Sequence, residues 1–114
     1  MSVITTHVLD TSRGRPAGGI PVRLEAQHAP GEWTRMAERV TDGDGRVRDL
    51  LAPGAPVAPG LYRLVFLTRR YFEDLGGSTF YPEVPIVFEI RDPGQHYHVP
   101  LLLGPFGYTT YRGS

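Results

Sequence analysis

The chain has 114 residues, with 12 basic residues (Lys and Arg) against 12 acidic ones, and it contains no cysteine. This length is typical of one domain, so we expect residues 1–114 to fold as a single unit. The balanced charge gives no electrostatic basis for holding nucleic acid or an anionic membrane surface, and neither is expected as a partner. The lack of cysteine excludes disulfides, thiol chemistry and cysteine-ligated metal centres.

The N-terminal stretch MSVITTHVLD has neither the basic region nor the apolar region of a secretory signal. No segment approaches the ~20 apolar residues that cross a bilayer as a helix. We therefore expect a soluble protein of the cytoplasm.

Short β-rich runs separated by glycine and proline make up most of the sequence, which contains 14 Gly and 11 Pro. The run 22–27 alternates apolar and polar residues with a period of two, which is typical of a half-buried strand. About eight strands at this spacing indicate an all-β sandwich. The predicted strands are 3–9, 22–27, 33–40, 46–50, 61–67, 85–91, 96–103 and 106–111.

Three connections between these strands have sequence patterns that predict their conformation. The DGDG run at 42–45 predicts a tight turn, with glycine where a positive φ is needed. It is similar to the start of an EF-hand loop, but Arg46 and Pro53 stand where oxygen ligands belong, which favours the turn. RRYFEDLGG predicts a short helix around residues 69–76 that ends at a glycine. The Pro- and Ala-rich segment 52–60 is expected to be an exposed loop.

Two predicted strands have an unusual second face. Successive strand residues point to opposite sides, so one face of 96–103 carries only Tyr97, Val99, Leu101 and Leu103. The opposite face carries His96 and His98 together with apolar residues. In the same way, His7 shares a face of strand 3–9 with Thr5 and two apolar residues. A face that is half apolar and half titratable suits a groove or a subunit interface better than open water.

Each of these residues also has a simpler interpretation. A histidine at the centre of a strand is most often structural, Arg46 after a turn is most often a solvated charge, and a terminal YRGS is most often frayed. His96 and His98 could be two ligands of one metal ion, since residues i and i+2 share a face. Only His7 and His28 could add further imidazoles, and the sequence has no zinc-binding motif. We therefore expect no metal and no cofactor.

Four segments of the chain resemble the 5-hydroxyisourate hydrolase family, the transthyretin-related enzymes of urate breakdown. They occur in the family's order and span nearly the whole chain, and the closing YRGS is the most specific of them. Transthyretin, the hormone carrier, shares the fold but lacks this ending and the histidines. Gly104 and Phe106 depart from the Ser and Tyr that are common in the family. The four segments are THVLDTSRGRPAGGIPVRLE, TDGDGR, FYPEVPIVFEI and HYHVPLLLGPFGYTTYRGS.

The resemblance implies a transthyretin-like eight-stranded β-sandwich of two four-stranded sheets with one short helix. It also implies a homotetramer, built as a dimer of dimers. The faces that carry His7 and His98 would then line a channel between dimers, and the tail YTTYRGS would form part of its wall. An ordered, functional C-terminal segment is the expectation that follows.

The resemblance further implies a cyclic amidohydrolase whose small-molecule substrate is 5-hydroxyisourate, the product of urate oxidation. Water attacks the C6 carbonyl and the N1–C6 bond breaks, which gives 2-oxo-4-hydroxy-4-carboxy-5-ureidoimidazoline. Imidazole, with a pKa near 6.5, is suited to activate the water, and guanidinium is suited to stabilise the oxyanion.

The family's functional residues map onto five positions of this chain. His7 and His98 would orient and deprotonate water, and Arg46 would bind substrate oxygens and stabilise negative charge. Tyr111 and the hydroxyl or terminal carboxylate of Ser114 would complete the pocket. His96, displaced about 7 Å along the strand from His98, is expected to lie outside direct substrate contact. Two alternatives remain: a non-catalytic, transthyretin-like tetramer that binds a small ligand, and a plain structural or interaction domain.

Overall fold

The structure, a computed structural model, describes residues 2–114 and packs two β-sheets face to face. The all-β sandwich and the single short helix predicted from the sequence are confirmed. No helix of these residues is long and apolar enough to cross a membrane. In chain order the elements are β1 (Ile4–Asp10), β2 (Arg15–Pro16), β3 (Pro21–Ala29), β4 (Glu32–Val40), β5 (Arg46–Val47), β6 (Gly60–Phe66), α1 (Arg69–Asp74), β7 (Val84–Ile90), β8 (Tyr97–Leu103) and β9 (Tyr108–Thr110).

The first sheet is built around a parallel pair of strands. Its order is β2-β1-β8-β9, in which β1 and β8 run parallel, and β5 pairs with another part of β1. The second sheet has the order β4-β3-β6-β7 and is antiparallel throughout. The first sheet therefore has five strands instead of four, because β2 pairs with Leu9 and Asp10 while β5 pairs with Thr6 and His7.

Most strand boundaries differ from the sequence prediction by one or two residues, and four elements need a separate account. Strand β2 lies in a segment that we predicted to be loop, because two residues are too few to show a period of two. Strand β5 stops at Val47 instead of residue 50, and β9 is three residues long instead of six. Helix α1 ends at Asp74, two residues early, and Gly76 with a φ of 80° donates its N–H to the Glu73 carbonyl. Residues 52–59 form no strand or helix and are mostly exposed, as predicted.

The hydrophobic core fills the space between the sheets. The face of β8 that was predicted to be apolar is buried over its whole length, and Ile4 and Val8 of β1 are fully buried beside it. Leu24 and Phe66 are among the side chains that meet them from the second sheet. Burying such a side chain contributes roughly 1.5–3 kcal/mol each, so this alternation holds the two strands in one orientation. Their opposite faces are therefore directed away from the core.

A buried carboxylate joins the helix to the first sheet. Asp10, fully buried at the end of β1, accepts hydrogen bonds from the Ser12 hydroxyl (2.6 Å), the N–H groups of Ser12 (3.0 Å) and Arg13 (3.2 Å), and the Tyr71 hydroxyl (2.7 Å). Burial raises the pKa of this carboxyl, but the hydrogen bonds from Ser12, Tyr71 and Arg13 together outweigh it and hold the pKa below its usual value. Tyr71 belongs to α1, so Asp10 connects two elements that are distant in sequence.

Replacing Asp10 by Asn should destabilise the protein by about 1–3 kcal/mol at neutral pH, because an amide cannot accept all of these hydrogen bonds. The folded pKa is depressed, so the contribution of the carboxylate is complete above the unfolded pKa of about 3.8 and is lost as the pH falls through the folded pKa. Urea unfolding at pH 7 and at acid pH should show a difference between wild type and D10N that shrinks with acidification.

Asp74→Asn is the matched control, since Asp74 is an exposed carboxylate of α1 that pairs only with Arg70. It should change stability by less than about 0.5 kcal/mol. Equal effects of the two substitutions would contradict the role assigned to Asp10.

Candidate active site

Three strands of the first sheet bring His7, Arg46 and His98 together on its outer face, the face directed away from the core. Across β1 and β5, His7 lies directly opposite Arg46, and across β1 and β8, Thr5 lies directly opposite His98. Thr5 and His7 are two residues apart on one strand and therefore share a face. His7, Arg46 and His98 are each partly buried.

A concave pocket lies on this face, beside His7. Arg46, His98 and Ser114, all predicted from the sequence, line it. Among residues 2–114 no group of three or more His, Asp or Glu side chains is placed to hold a metal ion. The remaining lining residues are Thr5, Thr6, Arg48 and His96.

The surroundings of His7 and His98 lower the pKa of each, which favours the neutral imidazole at pH 7. Burial lowers the pKa of His98, and the positive charge of Arg46 lowers it further, followed by His96 and His7. Burial and then Arg46 also lower the pKa of His7, against a hydrogen bond with the backbone of Asp44 and the nearby carboxylates. A neutral imidazole can accept a proton at pH 7, so either histidine is chemically able to activate a water molecule.

The DGDG turn fixes Arg46 opposite His7. The Asp42 side chain accepts hydrogen bonds from the N–H groups of Asp44 and Arg46, each at 2.9 Å, and the Asp42 carbonyl accepts from Gly45. Gly45 has a φ of 74°, and a Cβ there would overlap the carbonyl oxygen of Val8. Only glycine therefore lets this turn pack so closely on β1.

The guanidinium of Arg46 is available for a ligand. No ion pair in the part of the chain that the structure describes involves Arg46, whereas neighbouring Arg48 lies 3.6 Å from the Asp42 carboxylate. A guanidinium stays charged at physiological pH and presents a planar set of donors. This side chain is thus suited to bind the oxygens of a polar ligand and to stabilise negative charge.

The C-terminal segment is ordered against His98. Gly113 pairs with His98 and donates its N–H to the His98 carbonyl at 2.8 Å. A Cβ on Gly113 would lie 2.5 Å from Cδ2 of His98 and 3.1 Å from Pro100, so a larger residue would displace the imidazole or the tail. This close approach carries Ser114 to the pocket, and the ordered tail expected from the sequence is observed.

Two predicted site residues do not line this pocket: His7, which stands opposite Arg46, and Tyr111. Tyr111 is 54% exposed and lines a separate groove beside β7, together with Val87 and Glu89. His98 borders both concavities, so the groove and the pocket adjoin. A single chain therefore brings His7, Arg46, His98 and Ser114 together but leaves Tyr111 on the neighbouring surface.

Four pocket residues received no role from the sequence: Thr5, Thr6, Arg48 and His96. His96 was expected to stand apart because of its distance along the strand, yet its ring stacks on that of His98 with centroids 6.4 Å apart and it lines the same pocket. Thr5 was assigned to the same face as His7 by the period of two, but a threonine in a strand is too common to stand out. Its position opposite His98 is visible only in the pairing of β1 with β8.

Comparisons of the sequence and of the structure with known proteins identify one and the same family. A family model described as HIUase/Transthyretin family matches residues 4–113. The 5-hydroxyisourate hydrolase of Mus musculus is 48% identical over 114 residues, covering 99% of this chain and 96% of the relative. The structure of Klebsiella pneumoniae 5-hydroxyisourate hydrolase is similar with a TM-score of 0.84 at 38% identity, covering 97% of this chain and 98% of the other. Transthyretin from Sparus aurata reaches a TM-score of 0.89 at 33% identity, covering 99% and 97%.

Removing the Arg46 charge should raise the pKa of both His7 and His98 towards 6.5, because that charge disfavours the imidazolium form. In wild type the titration of both imidazoles, followed by NMR, should have its midpoint below 6.5, and in Arg46→Gln it should move to higher pH. Arg48→Gln is the matched control, since Arg48 lines the same pocket but lies against the Asp42 carboxylate and is not among the groups that shift the pKa of either histidine. Unchanged histidine titration in R46Q would show that Arg46 does not act on these imidazoles.

Proposed function

Because this chain belongs to the HIUase/Transthyretin family, we infer that it is a 5-hydroxyisourate hydrolase and that His7, Arg46 and His98 carry its reaction. The observation that supports this site is the convergence of the imidazoles of His7 and His98, each with a lowered pKa, and the guanidinium of Arg46, which has no ion-pair partner among residues 2–114, on one face of the first sheet. A pocket that only held a small aromatic ligand would have no use for this combination of groups.

The reaction adds water across an amide bond of a planar heterocycle. The water oxygen bonds to C6, the N1–C6 bond breaks, and one water proton is transferred to N1. The other proton stays on the new carboxylic acid and is lost at neutral pH. Such a step requires a base for the water and positive charge for the oxyanion.

His98 is the base in this proposal, and His7 orients the water. Nδ1 of His98 lies 2.8 Å from the Thr5 hydroxyl, which leaves Nε2 to take a proton from water and later to return it to N1. His7 lies beside the same pocket, opposite Arg46. Arg46 binds the C6 oxygen and stabilises its negative charge in the tetrahedral intermediate, and the Ser114 hydroxyl contacts the substrate from the tail.

The protein is further proposed to act in the cytoplasm as a homotetramer, a dimer of dimers. Two edge strands support this assembly, β7 of the second sheet and β9 of the first, and both border the same groove. Because each is an edge strand, one side of its backbone has no neighbouring strand among residues 2–114. Val87 of β7 and Phe106 beside β9 are 55% and 73% exposed, although both are large apolar residues. Assembly would cover these surfaces and would place Tyr111 at a subunit boundary close to the active site.

Replacing His98 by Asn should lower kcat/KM for 5-hydroxyisourate by about 10²–10⁴-fold, because the base is lost. The measurement is the ultraviolet decay of freshly generated 5-hydroxyisourate, with a buffer blank because this compound also decomposes unaided. His28→Asn, an exposed histidine of the other sheet, should retain wild-type activity. If the substrate decays in the presence of the wild type only at the rate of the buffer blank, the protein binds a small ligand without catalysis. If H98N retains the turnover of the wild type, His98 is not the base.

Light scattering at micromolar concentration should give about four times the mass of one 12.6 kDa chain. Val87→Lys should weaken the assembly, because it places a charge on a surface that the tetramer would bury. Val40→Lys, at a similarly exposed valine (58%) of edge strand β4, is the matched control and should leave the mass unchanged. A monomer in the wild type would contradict both the tetramer and the place assigned to Tyr111.

A further inference from the structure

Thr5 lies between two histidines of the pocket. Its hydroxyl oxygen is 2.8 Å from Nδ1 of His98 and 3.1 Å from Nε2 of His96, and both distances are in hydrogen-bond range. The residue is only 4% exposed, so little water competes for its hydroxyl, whereas His96 is exposed. The two rings are nearly parallel, with 16° between their planes.

A hydroxyl has one proton to donate, and this limits how the three groups can be arranged. If Thr5 donates to Nε2 of His96, it can only accept from His98, whose proton must then be on Nδ1. Nε2 of His98 is then unprotonated and can act as a base. If Thr5 instead donates to Nδ1 of His98, the His98 proton must be on Nε2, where it blocks the base. The single hydroxyl proton therefore couples the tautomers of the two histidines.

We propose that Thr5 is a positioning residue which, with His96 as the acceptor of its hydroxyl proton, holds His98 in the Nδ1–H tautomer that functions as the base. This inference rests on the proposed function. When His98 takes a proton from water it becomes an imidazolium, and its Nδ1–H then donates to Thr5 in a charge-assisted hydrogen bond, which is stronger than a neutral one. Thr5 thus stabilises both the state before proton transfer and the state after it.

The other groups around His98 do not offer this acceptor. His7 of β1, Arg46 of β5, Arg48 just after β5, Arg112 of the tail and the terminal carboxylate of Ser114 are the remaining titratable or charged groups near this face. Among residues 2–114, none of them is hydrogen-bonded to a ring nitrogen of His98, whereas Thr5 is. The arginines only donate, so none of them can receive Nδ1–H. The backbone of the tail contacts His98 through its carbonyl and through Cδ2, on the far side of the ring from Nδ1. Thr5 is therefore the contact that determines the tautomer.

Two substitutions of Thr5 separate the effect of its hydroxyl from the effect of its shape. Thr5→Val keeps the shape of the side chain and removes the hydroxyl, and Thr5→Ser keeps the hydroxyl and removes a methyl group. Thr34→Val is the matched control, because the Thr34 hydroxyl lies 2.9 Å from Nδ1 of His28 in a similar pair on the other sheet. His96→Phe removes the distant acceptor and keeps a ring of similar shape, with His28→Phe as its control.

The first measurement is the His98 tautomer by ¹⁵N NMR of the free protein, which does not depend on activity. Wild type should hold the proton on Nδ1, and T5V should shift His98 towards the Nε2–H form, with T34V unchanged. H96F should shift it in the same direction. A wild-type His98 with its proton on Nε2 would overturn the inference.

The second measurement is steady-state hydrolysis of 5-hydroxyisourate. T5V should lower kcat by about 10–100-fold, less than the 10²–10⁴-fold expected when the base itself is lost, with KM changed less than about 3-fold. T5S should restore most of kcat, and H96F should lower it while H28F should not. Wild-type kcat in T5V or H96F, or equal losses in T5V and T5S, would overturn the role of the hydroxyl. If wild type itself fails to hydrolyse the substrate, the proposed function fails, and the NMR measurement still decides the tautomer coupling.

Discussion

The parallel register between β1 and β8 is the constraint on which the rest of the site depends. It sets Thr5 opposite His98 and His7 opposite Pro100, while the alternate residues of both strands enter the core. A shift of one strand by a single residue would turn its histidines into the apolar interior and its apolar side chains outwards. The buried faces therefore fix the register, and the register fixes which polar groups can meet on the outer face.

Two glycines allow the backbone to close around this face. Gly45 brings the turn before Arg46 onto β1, and Gly113 brings the tail onto His98, and at both positions a Cβ would meet atoms already present. Together they place a guanidinium on one side of the imidazoles and the chain end on the other. The proximity of Arg46 has an electrostatic result, since its charge adds to burial in lowering the pKa of His7 and of His98.

The fold alone does not decide between catalysis and binding. The chain is similar in structure both to a hydrolase and to a transthyretin, with TM-scores of 0.84 and 0.89, although the hydrolase is the more similar in sequence. The distinction lies in the few side chains that the sandwich presents on the outer face of β1 and β8. Neutral imidazoles beside the guanidinium of Arg46 are suited to move a proton and to stabilise an oxyanion, which supports the hydrolytic function.

Periods of two and glycine-based turns are local signals, so they were sufficient to predict the sandwich, the tight turn at 42–45, the helix and the face that carries His7 and His98. The sequence by itself could not give β2, whose two residues have no pattern, or the early end of β5, which depends on pairing with β1. Only the folded structure shows that Thr5 and His96 contact one another and His98, and that Tyr111 faces another groove. These contacts join residues about ninety positions apart or set the path of the tail, so they follow from the register of paired strands and not from any local pattern.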